Sequence, residues 1–562
     1  MKPEDIIMRL RRLESGRTTV QDIWDEITRY IAPYRGRFFK DERSENSIEW
    51  RQPWLFDSTA VMASQALAAN LHSRLTSPSF RWFGLRFREQ ALNDDRDAAE
   101  WADECSNRIF NALQDSNFNV QIAEAYQDLT DFGTAMVFEE EEKNMRGDWK
   151  GLDFTAIPLK ECYFEQDSKQ QVYRFYRKME RTYAQLVSQF GEACPQWVKD
   201  EAEDPSADPN KKEIIVFAVY RRPEVDVDDI DLTKPLDAKK RPYGYRWVLF
   251  KDASPLSEEG GYYEMPAYVP RWRTTSSSIW GNSPAMVALS DVLSLNRLIE
   301  LHIQSAEKVV DPATLTTDRG LISDLDLNPA GLTVVRDLDE VRAYESSARF
   351  DVNYQEIERF RNQIREYFML DQLMLPPMEG TPATATEISA RIAQLEKFIA
   401  PTIGRLISDL LDPCITRTFN IMYRAGQLPE MPQSVIDSES DFNIEYVGAL
   451  ARSLMQDQVD SVNRWMNDLS FAAQVNPEVL DIPDWDAMYK GTAQMMGVPA
   501  KFLRSDSNIK RDREERNAQA QQRVEGENME QMGKGMQALG KGQETMGAAM
   551  PLPISAAPKG AI

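Results

Sequence analysis

The clearest pattern in the chain is a long amphipathic helix between residues 283 and 310. Apolar side chains recur there every three or four positions, with polar side chains on another face. The apolar positions are Met286, Leu289, Val292, Leu293, Ile299, Ile303, Ala306 and Val310; the polar ones are Arg297, Glu300, Gln304, Glu307 and Lys308. Ser283 and Pro284 suit the first turn, and Pro312 ends the helix. At about 1.5 Å per residue it is about 40 Å long, which is typical of a strut between two parts of an assembly.

The residues before this helix show helical periods and then strand-like ones. Helical stripes lie at Val20, Ile23, Trp24, Ile27 and Ile31, and at Ala98, Trp101, Ala102, Cys105, Ile109 and Leu113. Pro33 ends the first stripe, and Asp57 or Ser58 can cap a further helix that runs to about Leu75. Strands are predicted at 134–139, 152–157, 172–177, 213–220 and 243–250, and an exposed loop at 200–212. The acidic run 139–142 follows a strand and indicates a solvated hairpin.

The residues after Pro312 are mainly helical. A compact segment extends to about residue 350 and includes a short strand at 332–336. A second long helix places Ile357, Phe360, Ile364 and Phe368 on one face. After the loop 375–382, Thr384 and Glu387 form a capping box for a third long helix that continues to about Ala425. Pro401 and Pro413 fall inside its period, where a ring without an N–H predicts a kink.

Composition narrows the class of protein. With 562 residues the chain is too long for one core, and 42% apolar residues with 24 Phe, 19 Tyr and 12 Trp indicate a folded protein. No apolar run reaches about 18 residues and no leader follows Met1, so we expect neither a membrane span nor secretion. Four widely spaced cysteines (Cys105, Cys162, Cys194 and Cys414) are typical of a reducing cytoplasm.

The net charge of −24 argues against a basic DNA-binding face, because tight phosphate binding requires Lys and Arg. A negatively charged surface suits a channel through which DNA must move, since every attractive contact with a phosphate would slow the DNA. It also simply keeps a large protein soluble, and composition alone favours that interpretation.

Motifs for catalysis or cofactor binding are incomplete. The run GMQALGKG at 535–542 nearly matches a phosphate-binding loop, but Gly542 replaces the required Ser or Thr. Asp324, Asp326 and Asn328 imitate a calcium loop, yet Pro329 stands where a Gly is needed. With only two histidines, His72 and His302, the sequence has few candidates for a histidine-based catalytic triad or a zinc cluster. We therefore expect no enzymatic activity, no cofactor and no metal.

The last residues carry a heptad pattern. Positions spaced alternately three and four apart form a seam like that of self-associating helices: Met529, Met532, Met536, Leu539, Gln543, Met546 and Met550. Five glycines between residues 533 and 547 weaken any helix there by about 1 kcal/mol each. An ordered helix in an assembly and a disordered tail both remain open.

Four blocks of the sequence resemble the portal, or head-to-tail connector, proteins of short-tailed bacteriophages. The first is RWRTTSSSIWGNSPAMVALSDV and the helix after it, up to the VDPATL that ends at Leu315. The others lie at 55–87 (LFDSTAVMASQALAANLHSR…), 115–137 (DSNFNVQIAEAYQDLTDFGTAMV) and 381–429 (TPATATEISARIAQLEKFIAP…). They occur in the family's order and span most of the chain.

The resemblance implies an α+β, predominantly helical portal fold that assembles as a ring. The implied parts are a wing (1–282), stem helix 1 (283–310), a clip (311–352), stem helix 2 (353–372), a tunnel loop (373–383), a long kinked wing helix (384–426), a crown (427–504) and a C-terminal helical barrel or tail (505–562). The tunnel loop would present Pro376, Pro377, Met378, Glu379, Gly380 and Thr381 to the DNA channel. Glu300 and Glu307 would lie at the interface between neighbouring stems.

The resemblance also implies a function and partners. About twelve copies would form a ring at one capsid vertex, assembled in the bacterial cytoplasm and kept in the virion. Double-stranded DNA would pass through without sequence specificity, and terminase, capsid, scaffolding and tail adaptor proteins would dock on the ring. The alternatives are a ring-forming helical scaffold without a DNA channel, or a nucleic-acid-processing enzyme.

Overall fold

A computed structural model describes most of the chain. The residues it describes are 1–35, 54–206, 208–223, 225, 236–275, 278–310, 314–316, 341–343, 350–370, 399–438, 442–446, 449–476, 479, 481–495, 509, 511–519, 521 and 533–534. Within them the protein is α+β and mainly helical, as the sequence predicts.

Helices form most of the described structure. They are α1 (Pro3–Tyr30), α2 (Thr59–Leu75), α3 (Gln90–Asp94), α4 (Arg96–Asp115), α5 (Phe118–Phe132), α6 (Tyr183–Phe190), α7 (Gln196–Glu203), α8 (Pro284–Val310), α9 (Phe350–Tyr367), α10 (Asp412–Arg424), α11 (Gln433–Ser438), α12 (Ala449–Val475) and α13 (Trp485–Met495). Residues 399–406 are also α-helical, and a π-helical turn, Ile407–Leu411, joins them to α10.

Within the described residues, the strands form four antiparallel groups. The strands are β1 (Phe83–Phe87), β2 (Val137–Lys143), β3 (Trp149–Ala156), β4 (Cys162–Gln166), β5 (Val172–Thr182), β6 (Lys212–Arg221), β7 (Tyr243–Leu249), β8 (Gly260–Tyr262), β9 (Ala267–Tyr268), β10 (Thr314–Thr316), β11 (Val341–Ala343) and β12 (Phe442–Tyr446). The largest sheet has the order β4-β5-β6-β7-β8, and a second has the order β3-β2-β9. The remaining pairs are β1 with β12 and β10 with β11.

The main core lies among the helices α1, α2, α4, α5, α8, α9 and α10. Its largest buried side chains include Trp24, Trp82 and Tyr126. The five-stranded sheet is covered on both faces, because successive residues of a strand point to opposite sides. Phe217 packs towards the small sheet, whereas its neighbour Val216 packs against the first turns of α1. Helices α6 and α7 cover a smaller satellite core near the end of β5 and the start of β6.

Most sequence-predicted elements of the first 310 residues are confirmed. The helical stripes correspond to α1 and α4, and α8 begins at Pro284 as predicted. The strands predicted at 152–157, 213–220 and 243–250 correspond to β3, β6 and β7 within a few residues. The strand predicted at 134–139 begins later, at Val137, and the strand predicted at 172–177 continues to Thr182. The predicted loop at 200–212 is shorter, since α7 extends to Glu203 and β6 begins at Lys212.

Candidate functional site

The long helix α8 is attached to the rest of the subunit through its first residues. Ser283 accepts a hydrogen bond from the Met286 amide at 2.9 Å, which confirms the predicted cap. The same hydroxyl donates to the carbonyl oxygen of Asp131, in the last turn of α5, at 2.8 Å. The start of α8 is therefore joined directly to the end of α5.

Two glycines make this junction close. Gly133 ends α5 with a φ of +76°, a left-handed conformation that favours glycine. Gly281 lies against it, so a Cβ on either residue would collide with the carbonyl of the other. The Trp272 amide donates to the Gly133 carbonyl at 2.8 Å, and the Gly281 amide donates to Thr134 Oγ1 at 2.9 Å. Three chain segments thus meet in backbone contact at the base of α8.

Farther along, α8 and α9 pack side by side and are tied to the segment before α2. Asn296 on α8 accepts from the Phe56 amide and donates to the Trp54 carbonyl, both at 2.8 Å. Arg361 on α9 donates to Asp57 Oδ2 through two nitrogens, at 2.8 and 3.0 Å. Asp57 also accepts from the amide of Thr59, the first residue of α2, at 2.8 Å, whereas Ser58, at the N-cap position, makes no side-chain cap hydrogen bond.

The second half of α8 carries several apolar side chains that the described part of the subunit leaves exposed. Leu301 is 43% exposed, Ile303 41% and Val310 85%, whereas Val292, Leu295 and Ile299 are buried. The predicted apolar stripe is therefore covered only in its first half. Of the two predicted interface residues, Glu300 is half-buried and pairs with Arg297 at 2.6 Å, and Glu307 is exposed.

A buried ionic cluster joins α10 to the small sheet. Thr418 donates to Glu139 Oε1 at 2.8 Å, and the Tyr268 hydroxyl donates to the other carboxylate oxygen of Glu139. Arg417 lies beside Glu139 and donates to the carboxylate and the carbonyl of Glu264, at 3.2 and 3.1 Å. Arg424 also binds the Glu264 carboxylate, at 2.7 Å. These contacts fasten α10 to β2 and to the residues before β9.

This cluster corrects one sequence interpretation. The acidic run 139–142 does form a hairpin with β3, and Glu140 and Glu142 are exposed, but Glu139 is fully buried. Burial raises the pKa of the Glu139 carboxyl to about 7, although Arg417, Tyr268 and Thr418 all favour its ionised form. Sequence reasoning missed Arg417 as its partner; the available signal was an arginine inside the apolar run of α10.

Several predicted features lie outside the described residues. They include the tunnel-loop residues 376–381, the capping box at 384–387, the strand at 332–336, the calcium-like run 324–328, the phosphate-loop-like run 535–542 and all seven positions of the methionine seam. Within the described part of the chain, no three His, Cys, Asp or Glu side chains form a group that could hold a metal ion. Among the described helices, none has a stretch long and apolar enough to cross a membrane.

Comparison with known families agrees with the blocks of similarity in the sequence. The family described as "bacteriophage head to tail connecting protein" matches residues 3–503, which is most of the chain. The chain belongs to this family, and the resemblance drawn from its sequence is confirmed.

Two curated relatives are similar over nearly their whole length. The chain is 27% identical over 530 residues to a protein of Bordetella phage BPP-1 named "probable portal protein", covering 92% of this chain and 91% of that protein. It is 24% identical over 531 residues to the "portal protein" of Salmonella phage epsilon15, covering 92% of each.

Proposed function

We propose that the protein is the portal subunit of a bacteriophage. Copies form a closed ring at one vertex of the capsid, and double-stranded DNA passes through the ring during packaging and ejection. Terminase docks on the ring during packaging, and tail proteins dock on it later. Family membership and the two portal relatives support this proposal at the level of the whole chain.

The observation that carries the ring is the uneven burial of α8. Its first half is fastened by Ser283, Asn296 and the core, whereas Leu301, Ile303 and Val310 remain exposed. Ile303 and Val310 lie on one face of α8 and Leu301 on the opposite face, so exposed apolar side chains are available for a neighbour on each side of the helix. Because each copy exposes the same surface, a ring of identical subunits can cover it at every interface.

In the proposal, the DNA channel runs through the centre of the ring. Paired helices fixed at one end and covered by neighbours at the other would form a wall around a central passage. The net charge of −24 suits a passage that does not bind phosphate tightly. In the proposal, residues 373–383 form the narrowest part of the channel. Met378 and Glu379 carry no positive charge there, so they do not bind the DNA phosphates.

The test is the mass of the purified protein and of a variant with altered charge on α8. Wild-type protein is expected as a closed ring, and Glu300→Lys with Glu307→Lys is expected to assemble poorly while each subunit stays folded. A surface charge contributes only about 0 to 1 kcal/mol, but a ring repeats the loss at every interface. Glu192→Lys with Glu203→Lys makes the same charge change at exposed residues far along the chain from α8 and is the control.

The possible outcomes separate the hypotheses. Rings from wild type and control but not from the α8 variant support the proposed interface. Normal rings from the α8 variant remove Glu300 and Glu307 from it. A wild-type monomer with nuclease or ATPase activity would instead favour an enzyme. A ring that never admits DNA would favour a scaffold.

A further inference from the structure

The helix that contains Pro401 and Pro413 changes its geometry in the middle. Residues 399–406 are α-helical, Ile407–Leu411 form a π turn in which the Asp412 amide donates to the Ile407 carbonyl, and α10 then resumes. In a continuous α-helix the Asp409 carbonyl would accept from residue 413, which is a proline and has no N–H. The π turn lies at the place where the α pattern would lose this hydrogen bond.

Side-chain contacts from another segment hold the π turn. Arg271, which is buried, lies 3.5 Å from Asp409 and also donates to Gln166 Oε1 and to the Gln170 carbonyl. Arg405, in the turn before, donates to Thr274 Oγ1. The residues after the turn are fixed more firmly, through the ionic cluster around Arg417.

The residues before the turn can pack in a second way. A π turn holds one residue more than an α turn. If it returned to α geometry while α10 stayed fixed, each preceding residue would move into the place of the residue before it. This is a shift of about 1.5 Å and about 100°.

This shift would bury no charge. The buried side chains of the segment are Ile399, Thr402, Ile403 and Leu406. After the shift their places would be taken by Ala400, Ile403, Gly404 and Ile407. The segment therefore has two uncharged faces, one residue apart, and neither places a charge in the core.

We propose that Ile407–Leu411 is a register switch, which lets residues 399–406 rotate and slide by one residue against the core while α10 stays in place. The Arg271–Asp409 and Arg405–Thr274 contacts select the observed register, and so does Pro413, whose ring would crowd the Asp409 carbonyl in α geometry. Packing selects it too, since Ala400 and Gly404 would fill the places of Ile399 and Ile403 poorly. A larger apolar side chain at position 404, together with the loss of the Asp409 contact with Arg271, should therefore shift the equilibrium to the second register.

The variant Gly404→Leu, Asp409→Asn makes this change. Gly404 is exposed, and nothing lies within 4 Å of the position of an added Cβ, so leucine is tolerated in the observed register. In the second register the same leucine is buried, which favours that register by about 10- to 100-fold. Gly404→Gln, Asp409→Asn is the matched control, because glutamine has a similar helix propensity but gains nothing from burial in an apolar place.

Two cysteine reporters read the register in the full-length protein. Ala400→Cys is half-buried now and would become buried, whereas Thr402→Cys is buried now and would move to the exposed place of Pro401. In the leucine variant, maleimide labelling should slow about 10-fold or more at Ala400→Cys and accelerate about 10-fold or more at Thr402→Cys. In the glutamine control, each reporter cysteine should react at the rate that it shows in the otherwise wild-type protein.

The reciprocal change separates a register shift from local unfolding, which would accelerate labelling at both positions. Faster labelling at both, or no change at either, would overturn the proposal. So would a cryo-EM structure of the leucine variant that keeps the π turn. Labelling reads the subunit itself and applies to monomers and rings alike, so it stands apart from the test of the portal function.

Discussion

Replacing Arg417 by Met should loosen α10 from the small sheet, and the effect should depend on pH. The Arg417 side chain is buried between Glu139 and Glu264, and methionine keeps much of its volume but none of its charge. Removing one partner of a buried ion pair leaves the other without compensation. The cost is about 3–5 kcal/mol when the remaining carboxylate is ionised.

The direction of the pH effect follows from the pKa of Glu139. Burial raises this pKa from an ordinary 4.5 to about 7, so between these values the folded protein holds a proton that the unfolded chain has released. The stability contributed by Glu139 is therefore greatest below about pH 4.5 and falls as the pH rises to about 7. Without Arg417 the pKa rises further, and the fall continues above pH 7. Arg417→Met should thus cost more at about pH 8.5 than at about pH 5.5. The extra cost builds up only above about pH 7, at about 1.4 kcal/mol per pH unit, and reaches about 2 kcal/mol at pH 8.5.

Cys414 provides the assay, because it is buried in the same helix one turn before Arg417. Alkylation under native conditions, followed by peptide mass spectrometry, measures how often this turn opens. Because the buried thiol reacts from the opened turn, where Arg417 and Glu139 no longer surround it, comparison with wild type at the same pH cancels the titration of the thiol. Cys194, in the satellite core of α6 and α7, is the internal reference and should be unaffected.

The double variant Glu139→Gln, Arg417→Met is the control, since it removes both charges of the pair. It should be less impaired than the single variant, and its loss of stability relative to wild type should grow far less between about pH 7 and about pH 8.5. Equal acceleration of Cys414 labelling by Arg417→Met at both pH values would refute the reasoning. Equal impairment of the single and double variants would refute it as well.

Three other changes test separate parts of the structure and the proposed function. Gly281→Ala should lower the thermal stability by about 1–3 kcal/mol, because its Cβ would collide with the facing backbone, whereas Gly151→Ala, where the space is open, should not. Met378→Lys with Glu379→Lys should slow DNA packaging or ejection, most of all at low salt, and unchanged DNA movement at low salt would contradict this. If neighbouring C-terminal segments cover one another's methionine seams in a ring, tryptic cleavage at Lys534 should be fast in monomers and slow in rings; equal rates would show that the seam has no structural role.

Local rules were enough to predict the elements whose signals lie within a few residues. The Ser283 cap is such a case, because the hydroxyl and the amide it accepts from are three positions apart. Strand β6 is another, since its apolar run is continuous and buried. The two-residue strand β9 was not predicted, because only its pairing with β2 defines it.

The anchoring contacts could not be predicted in the same way, because their partners are distant in sequence. Glu139 lies in a run of four glutamates that looks solvated, and its partner Thr418 is 279 residues away. The exposed half of α8 is a second example of a feature that local patterns do not predict. Periodicity marks Ile303 and Val310 as apolar positions but does not say whether the same subunit covers them.

The contact between Gly133 and Gly281 has a consequence for recombining this protein with its relatives. Each glycine leaves no room for a side chain on the other, so the two behave as one unit although 148 positions separate them. A chimaera that takes α8 from a relative and keeps α5 from this chain would combine two halves of a joint from different parents. Exchange should succeed when the crossover points place both glycines in the same parental block, for example a cassette that begins before α5 and ends within α8.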